Sequence, residues 1–216
     1  MRSEELTATA RIRNAAIQLW GQGGFGIGLR TIAEAAGVSA GLVIHHFGSK
    51  ARLRKACDDY VLDVIRTEKT ASVQSADPAM WLAQVSEIES YAPLIAYIVR
   101  SLQSGGELGA TLLRRMIENA EQYMEEGVRA GTLKPSRDPG ARARFLAVNN
   151  AGGLLLYMNT HENPGDTRAV LRDYARDMML PALEVYTEGL MADSSMLDAI
   201  IAREQAAAGR GGESPG

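Results

Sequence analysis

Residues 29–50, LRTIAEAAGVSAGLVIHHFGSK, limit the possible folds more than any other stretch, because they fit two short helices meeting at a tight turn. A first helix over 30–36 places Ile32 and Ala36 four apart on one face. Gly37 then supplies the left-handed residue that ends a helix without a Cβ penalty. Ser39 is a natural N-cap whose hydroxyl accepts from the backbone N–H of Gly41 or Leu42. The spacing predicts a second helix over 40–46, with Val43 and Phe47 inward and Ala40, Gly41, Ile44 and His45 outward. Small residues at the front of such a helix permit close approach to a DNA groove. A helix-turn-helix follows, and with it double-stranded DNA as the expected partner.

Ile32-Ala33-x-x-Ala36-Gly37-Val38-Ser39-x-Gly41, followed by His46-Phe47-x-Ser49-Lys50, resembles the DNA-binding domain of TetR (tetracycline-repressor-like) regulators. The resemblance is ungapped and covers about the first quarter of the chain. It implies an all-α fold, with an N-terminal three-helix helix-turn-helix domain followed by a helical ligand-binding and dimerisation domain. It also implies a transcriptional regulator, by default a repressor, that binds a palindromic operator as a homodimer and is released by a small molecule. Ser39, His46 and Lys50 fall on positions that the family places at the groove or the phosphate backbone. Two residues depart from the pattern. Ile44 stands where the family usually has an aromatic, most often tyrosine, and Gly28 where it often has a Ser or Thr cap. The first change removes a phosphate-bonding hydroxyl and leaves an apolar contact, such as one to a thymine methyl.

Charge partition supports a DNA-binding head. The formal net charge is −3, but residues 1–55 carry eight Lys/Arg against Glu4, Glu5 and Glu34, a local balance of +5 that leaves −8 for the rest. A basic head on an acidic body is the footprint of a DNA-binding module joined to a part that does not touch DNA. Within the head, Ala40, Gly41, Leu42, Ile44 and His45 are expected nearest base edges, and Arg30 and Thr31 over the adjacent backbone. Lys50, at a helix N-terminus, adds its charge to free N–H groups and makes a phosphate site. Arg54 and Lys55 are expected on a solvated face. No apolar run approaches the roughly 18 residues needed to span a bilayer. The single cysteine, Cys57, excludes an internal disulfide, so a cytoplasmic protein is expected.

Helical periodicity and breakers divide the chain into a head over 1–55, a helical body over 56–208 and a disordered tail over 209–216. Helices are expected over about 7–22, 50–72, 78–89, 91–104, 107–130, 139–160, 167–192 and 193–208. No segment alternates as a strand would. Cys57 sits in an apolar stripe, where a free cysteine behaves as a small hydrophobe. His45 and His46 are adjacent, diverge by roughly 100° on a helix and cannot chelate one ion, so no metal and no cofactor is expected.

The body's bulky and polar residues suggest a mostly apolar effector pocket between helices, with Trp81, Tyr97, Met116, Asn119, Tyr123, Asn149 and Asn150 as lining residues. Gly152 and Gly153 inside a helix cost about 1 kcal/mol each relative to alanine, which is tolerated where a backbone or ligand comes close. With Leu156, Leu171, Tyr174 and Met178 they form either the body's own core or the face of a two-fold four-helix bundle. Paired half-sites favour the homodimer. No nucleophile triad, phosphate loop or metal spacing points to catalysis. Two alternatives remain: a constitutive DNA-binding regulator with a filled body, and a helical ligand-binding protein or enzyme whose head is vestigial.

Overall fold

The structure, a computed structural model, describes residues 2–75 and 77–211, with side chains for 7–75 and 77–207. Among these residues there are ten α-helices, one short 3-10 turn and no strand. The helices are α1 (Arg2–Gly23), α2 (Leu29–Ala35), α3 (Ala40–Phe47), α4 (Lys50–Gln74), α5 (Pro78–Ser86), α6 (Ala92–Gln103), α7 (Gly106–Ala130), α8 (Pro139–Thr160), α9 (Thr167–Thr187) and α10 (Ser195–Gly211).

Local chemistry sets most of these boundaries. Asp138 caps α8 by accepting from Ala141 N–H at 2.8 Å, with Pro139 in the first turn where its missing N–H costs nothing. Gly131, in the left-handed region at φ +77°, ends α7. Four expectations shift, the first being that α1 begins at Arg2 rather than near residue 7. The helix from Pro78 stops at Ser86 and gives way to a 3-10 turn over Ile88–Tyr91. α9 ends at Thr187 rather than 192, just ahead of Gly189 at φ +82°. α10 continues through Gly211, so 209–211 are helical where a disordered tail was expected, and 212–216 lie outside the described residues.

One core joins the head to part of the body. Ile12, Ala16, Ile17 and Trp20 of α1 meet Ile32, Val43, Leu53, Cys57 and Val61, and also Tyr97 and Ile98 of α6. α6 lies close against α1: a Cβ on Gly21 would stand 3.0 Å from the Tyr97 backbone N and 3.1 Å from Ala96 Cβ. The expected division at 55/56 cuts the unbroken α4 and this shared core. By its internal contacts the chain forms two compact units, Met1–Ala175 and Arg176–Gly216. Within the first unit, a small cluster of Val99, Met158 and Val170 joins α6, α8 and α9, and another of Ala120, Met124 and Ala143 joins α7 and α8. The second unit holds the end of α9 and α10, with Leu180, Leu183, Leu190, Met196 and Leu197 exposed.

Candidate nucleic-acid interface

The turn between α2 and α3 is built from backbone preferences. Gly37 sits at φ +64°, and a Cβ there would meet nothing within 4 Å, so conformation rather than space calls for glycine. Val38 N–H bonds back to Ala33 O at 2.9 Å, and Ser39 Oγ accepts from Leu42 N–H at 3.1 Å, starting α3. Val43 is fully buried, which fixes the rotation of α3 and turns Ile44 and His45 outward. Ala40 and Leu42 are half-buried and Gly41 is exposed beside them. At the entry to α2, Arg30 and Thr31 are exposed, and Gly28 offers no side-chain cap.

His46, on a position that the resemblance puts at the groove or backbone, packs back toward α1. It is half-buried, with Nδ1 3.5 Å from Thr9 Oγ1 of α1, and its buried Nε2 has no hydrogen-bond partner among the described residues. Beyond Gly48, at φ +74°, Ser49 caps α4 by accepting from Arg52 N–H at 3.2 Å. Lys50 Nζ donates to Gly26 O at 3.4 Å, tying the start of α4 to the loop after α1. With Trp20, Phe25, Ala51 and Arg54, it lines an open cleft of about 330 Å³. Arg54 does not lie on a solvated face: its guanidinium sits 3.6 Å over the Phe25 ring. Phe25 in turn packs edge-on to Tyr97 and tilted against Trp20, whose Nε1–H donates to Ile27 O at 3.2 Å. Nothing in the local charge run signalled this stack, because Phe25 arrives from a different loop.

A polar joint ties α4 to the body beneath the head. Tyr97 Oη donates to Asp58 Oδ1 at 2.6 Å. Burial raises the Asp58 carboxyl above its ordinary range, against the lowering effects of that hydrogen bond, Arg54 and Arg115. Burial, then the Asp58 charge, pushes the Tyr97 phenol upward. Asp59 faces Lys55 at 2.6 Å and Arg115 of α7 at 2.8 Å. Desolvation, the largest single influence, would raise its carboxyl, but the hydrogen bonds and charges of those two partners together hold it below the ordinary value. The buried Cys57 thiol donates to Arg13 O at 3.8 Å and is pushed up to about 12 by burial and then by Asp58. It is a core residue, not a thiolate.

The residues read from sequence as a ligand pocket are dispersed. Tyr97 is committed to the joint, and Met116 packs against the same core. Asn119 Nδ2 donates to Leu62 O at 3.1 Å, fastening α7 to α4. Tyr123 packs on the α7–α8 cluster, while Trp81 is half-buried on α5. Asn149 and Asn150 are exposed on α8, and Asn149 Nδ2 donates back to Phe145 O at 2.8 Å.

The residues read as a dimer face divide. Leu171 is buried at 3% exposure and belongs to the chain's own interior, while Met178, in the second unit, is exposed. Gly153 meets Tyr174 Oη, 3.5 Å from where a Cβ would be, and Tyr174 packs edge-on against Tyr157. A Cβ on Gly152 would meet nothing within 4 Å, and Leu156 is 69% exposed. Sequence reasoning missed Phe145 and Val148, which extend this open surface. Their spacing with Gly152 and Leu156 (145, 148, 152, 156) is a helical stripe that could have revealed them.

An exposed second helix of a helix-turn-helix, carried on a rigid basic head, defines a DNA-binding regulator. Residues 12–57 match the family model of bacterial regulatory proteins of the tetR family, and residues 89–192 match the tetracyclin repressor-like C-terminal domain. The chain is 67% identical over 205 residues, 95% of this chain and 97% of the relative, to the HTH-type transcriptional regulatory protein RaaS of Mycobacterium tuberculosis. It therefore belongs to the TetR family of transcriptional regulators, which are not enzymes. The fold also resembles a TetR transcriptional regulator from Chloroflexus aurantiacus, with a TM-score of 0.52 and 19% identity over 82% of this chain and 98% of that one. It resembles SmeT, the repressor of the Stenotrophomonas maltophilia multidrug efflux pump SmeDEF, with a TM-score of 0.52 and 20% identity over 81% of this chain and 89% of that one. Among the described residues no helix is long and apolar enough to cross a membrane.

Proposed function

We propose that this regulator is a cytoplasmic repressor that binds a palindromic operator as a homodimer and is released by a largely apolar small molecule held in its C-terminal region. The observation that carries the DNA-binding role is the outward face of α3: Val43 is locked into the core while Gly41, Ile44 and His45 stand free. Ser39, Arg30, Thr31 and Lys50 flank that face and are suited to phosphates, which position the helix without reading sequence. The apolar stripe on α8, with Phe145, Val148 and Leu156 exposed, supports a second copy as the covering partner. Effector release draws its support from the C-terminal family match over residues 89–192. A coupling of about 1–3 kcal/mol between effector and operator is enough to change occupancy 5–150-fold.

Selection of duplexes from randomised DNA by the full-length protein tests the DNA-binding half of this proposal. The expected product is a palindrome whose half-sites lie roughly 34–36 Å apart, or a multiple of that spacing. Lys50→Ala should weaken binding to all selected duplexes alike and lower the salt slope by about 1. Failure to enrich any palindrome would remove the operator and the dimer together.

A further inference from the structure

We infer that α3 reads its half-site chiefly through a thymine methyl seated against Ile44, and not through a bidentate hydrogen bond of its own; this rests on the DNA-binding proposal above. α3, AGLVIHHF, contains no Arg, Lys, Asn, Gln, Asp or Glu. Those are the side chains that pair bidentately with guanine or adenine, or accept from cytosine, in the major groove. Packing narrows the choice further. Val43 is fully buried, Phe47 packs on the head core, and His46 turns toward Thr9 of α1.

What remains facing outward is Gly41, Ile44 and His45; Ala40 is half-buried against the head core and Leu42 is half-buried. Gly41 lies three residues before Ile44, so the two share one open face. A Cβ on Gly41 would meet only Ser39 Oγ, at 3.8 Å, so this face is open and lets the α3 backbone come close to base edges. Ile44 then reaches the groove floor as a bulky side chain left 48% exposed by its own fold. Thymine alone among the four bases presents an apolar group there, its 5-methyl. His45 contributes single hydrogen bonds, and the purine N7 available to it is common to adenine and guanine. Within α3, discrimination therefore falls to Ile44, while Ser39 and Lys50 are suited to phosphate contacts that are blind to sequence.

The test uses the full-length protein and the duplex it selects from randomised DNA, resynthesised with uracil for thymine at one position at a time, symmetrically in both half-sites. Uracil differs from thymine only by the missing methyl. At one position the two lost methyls should weaken binding about 15-fold, roughly fourfold each, from about 0.8 kcal/mol per buried methyl. Other thymines should change affinity less than about twofold. In Ile44→Ala, whose exposed site leaves the fold intact, the thymine-over-uracil preference at that position should fall to near unity, and Ile44→Val should keep part of it. A flat uracil scan, or a preference that survives in Ile44→Ala, overturns the inference and assigns specificity to DNA shape while the operator stands. If no duplex is selected at all, the DNA-binding proposal falls and takes this inference with it.

Discussion

α1 and α8 both carry an apolar stripe at helical spacing and both place glycine within it, yet their surroundings differ. The α1 stripe of Ile12, Ala16, Ile17 and Trp20 is closed off, with Trp20 fully buried and Gly21 pressed onto the backbone of α6. The stripe of Phe145, Val148, Gly152 and Leu156 is open, with Phe145 63% exposed and empty space where a Gly152 side chain would be. Periodicity shows that a face is to be covered; it does not show whether the cover is the chain's own or another's. The glycines carry the distinction: one is needed by a neighbour within the chain, and the other has no such neighbour among the described residues.

The sharpest way to break this contrast is to truncate both faces. Trp20→Ala should cost about 3–5 kcal/mol of unfolding free energy, measured by denaturant titration. Leu156→Ala should change the unfolding of dilute, dissociated chains by no more than about 0.5 kcal/mol, yet weaken self-association in sedimentation runs. Equal losses in the two variants at high dilution would mean that α8 belongs to the interior after all.

A smaller effect comes from the seam that makes the α1 face so complete. Tyr97→Phe deletes the donor to the Asp58 carboxylate and should cost about 1–3 kcal/mol in the same titration. Should it cost nothing, the closed face would owe its order to apolar packing alone.

The smallest expected effect is a pH dependence with opposite signs at neighbouring carboxylates. Asp59, held below its ordinary value of 3.8, contributes stability that is present above that pH and lost as pH falls through its lowered value. Asp58, raised above 3.8, contributes stability that is present below that pH and lost as pH rises through its raised value. Urea midpoints followed across this range should therefore lose part of their acid-side decline in Asp59→Asn. In Asp58→Asn, stability relative to the parent should improve as pH climbs past 3.8. Identical profiles for the two variants would show that the seam does not bury one carboxylate more than the other.

The head was legible because its signals are local. Gly37, Ser39, Gly48 and Ser49 each act within a few residues, and α3 begins where the serine hydroxyl said it should. Tyr97 was misplaced for the opposite reason. Its partner Asp58 lies 39 residues away, and nothing in the surrounding AYIVRS distinguishes a phenol aimed at a pocket from one aimed at α4. Arg54 was read from a run of like charges, although its position is set by Phe25 on another loop. Leu171 has the same spacing as surface leucines, and only the packing of α9 buries it. Ile44 needed no tertiary information, because its exposure follows from Val43 lying one residue earlier on an already oriented helix.

The tight contact at Gly21 also has a mechanical consequence. With less than a methyl group of clearance at Gly21, a shift of α1 across α6 would meet the α6 backbone, which favours the DNA-reading end and α6 turning together. Any force that re-aims α3 has to grip α6 itself or the long seam between α4 and α7, where Asn119 holds Leu62 and Thr132 holds Val73. Steering would then be done from the flank, and α4 alone could not act as a free-swinging arm.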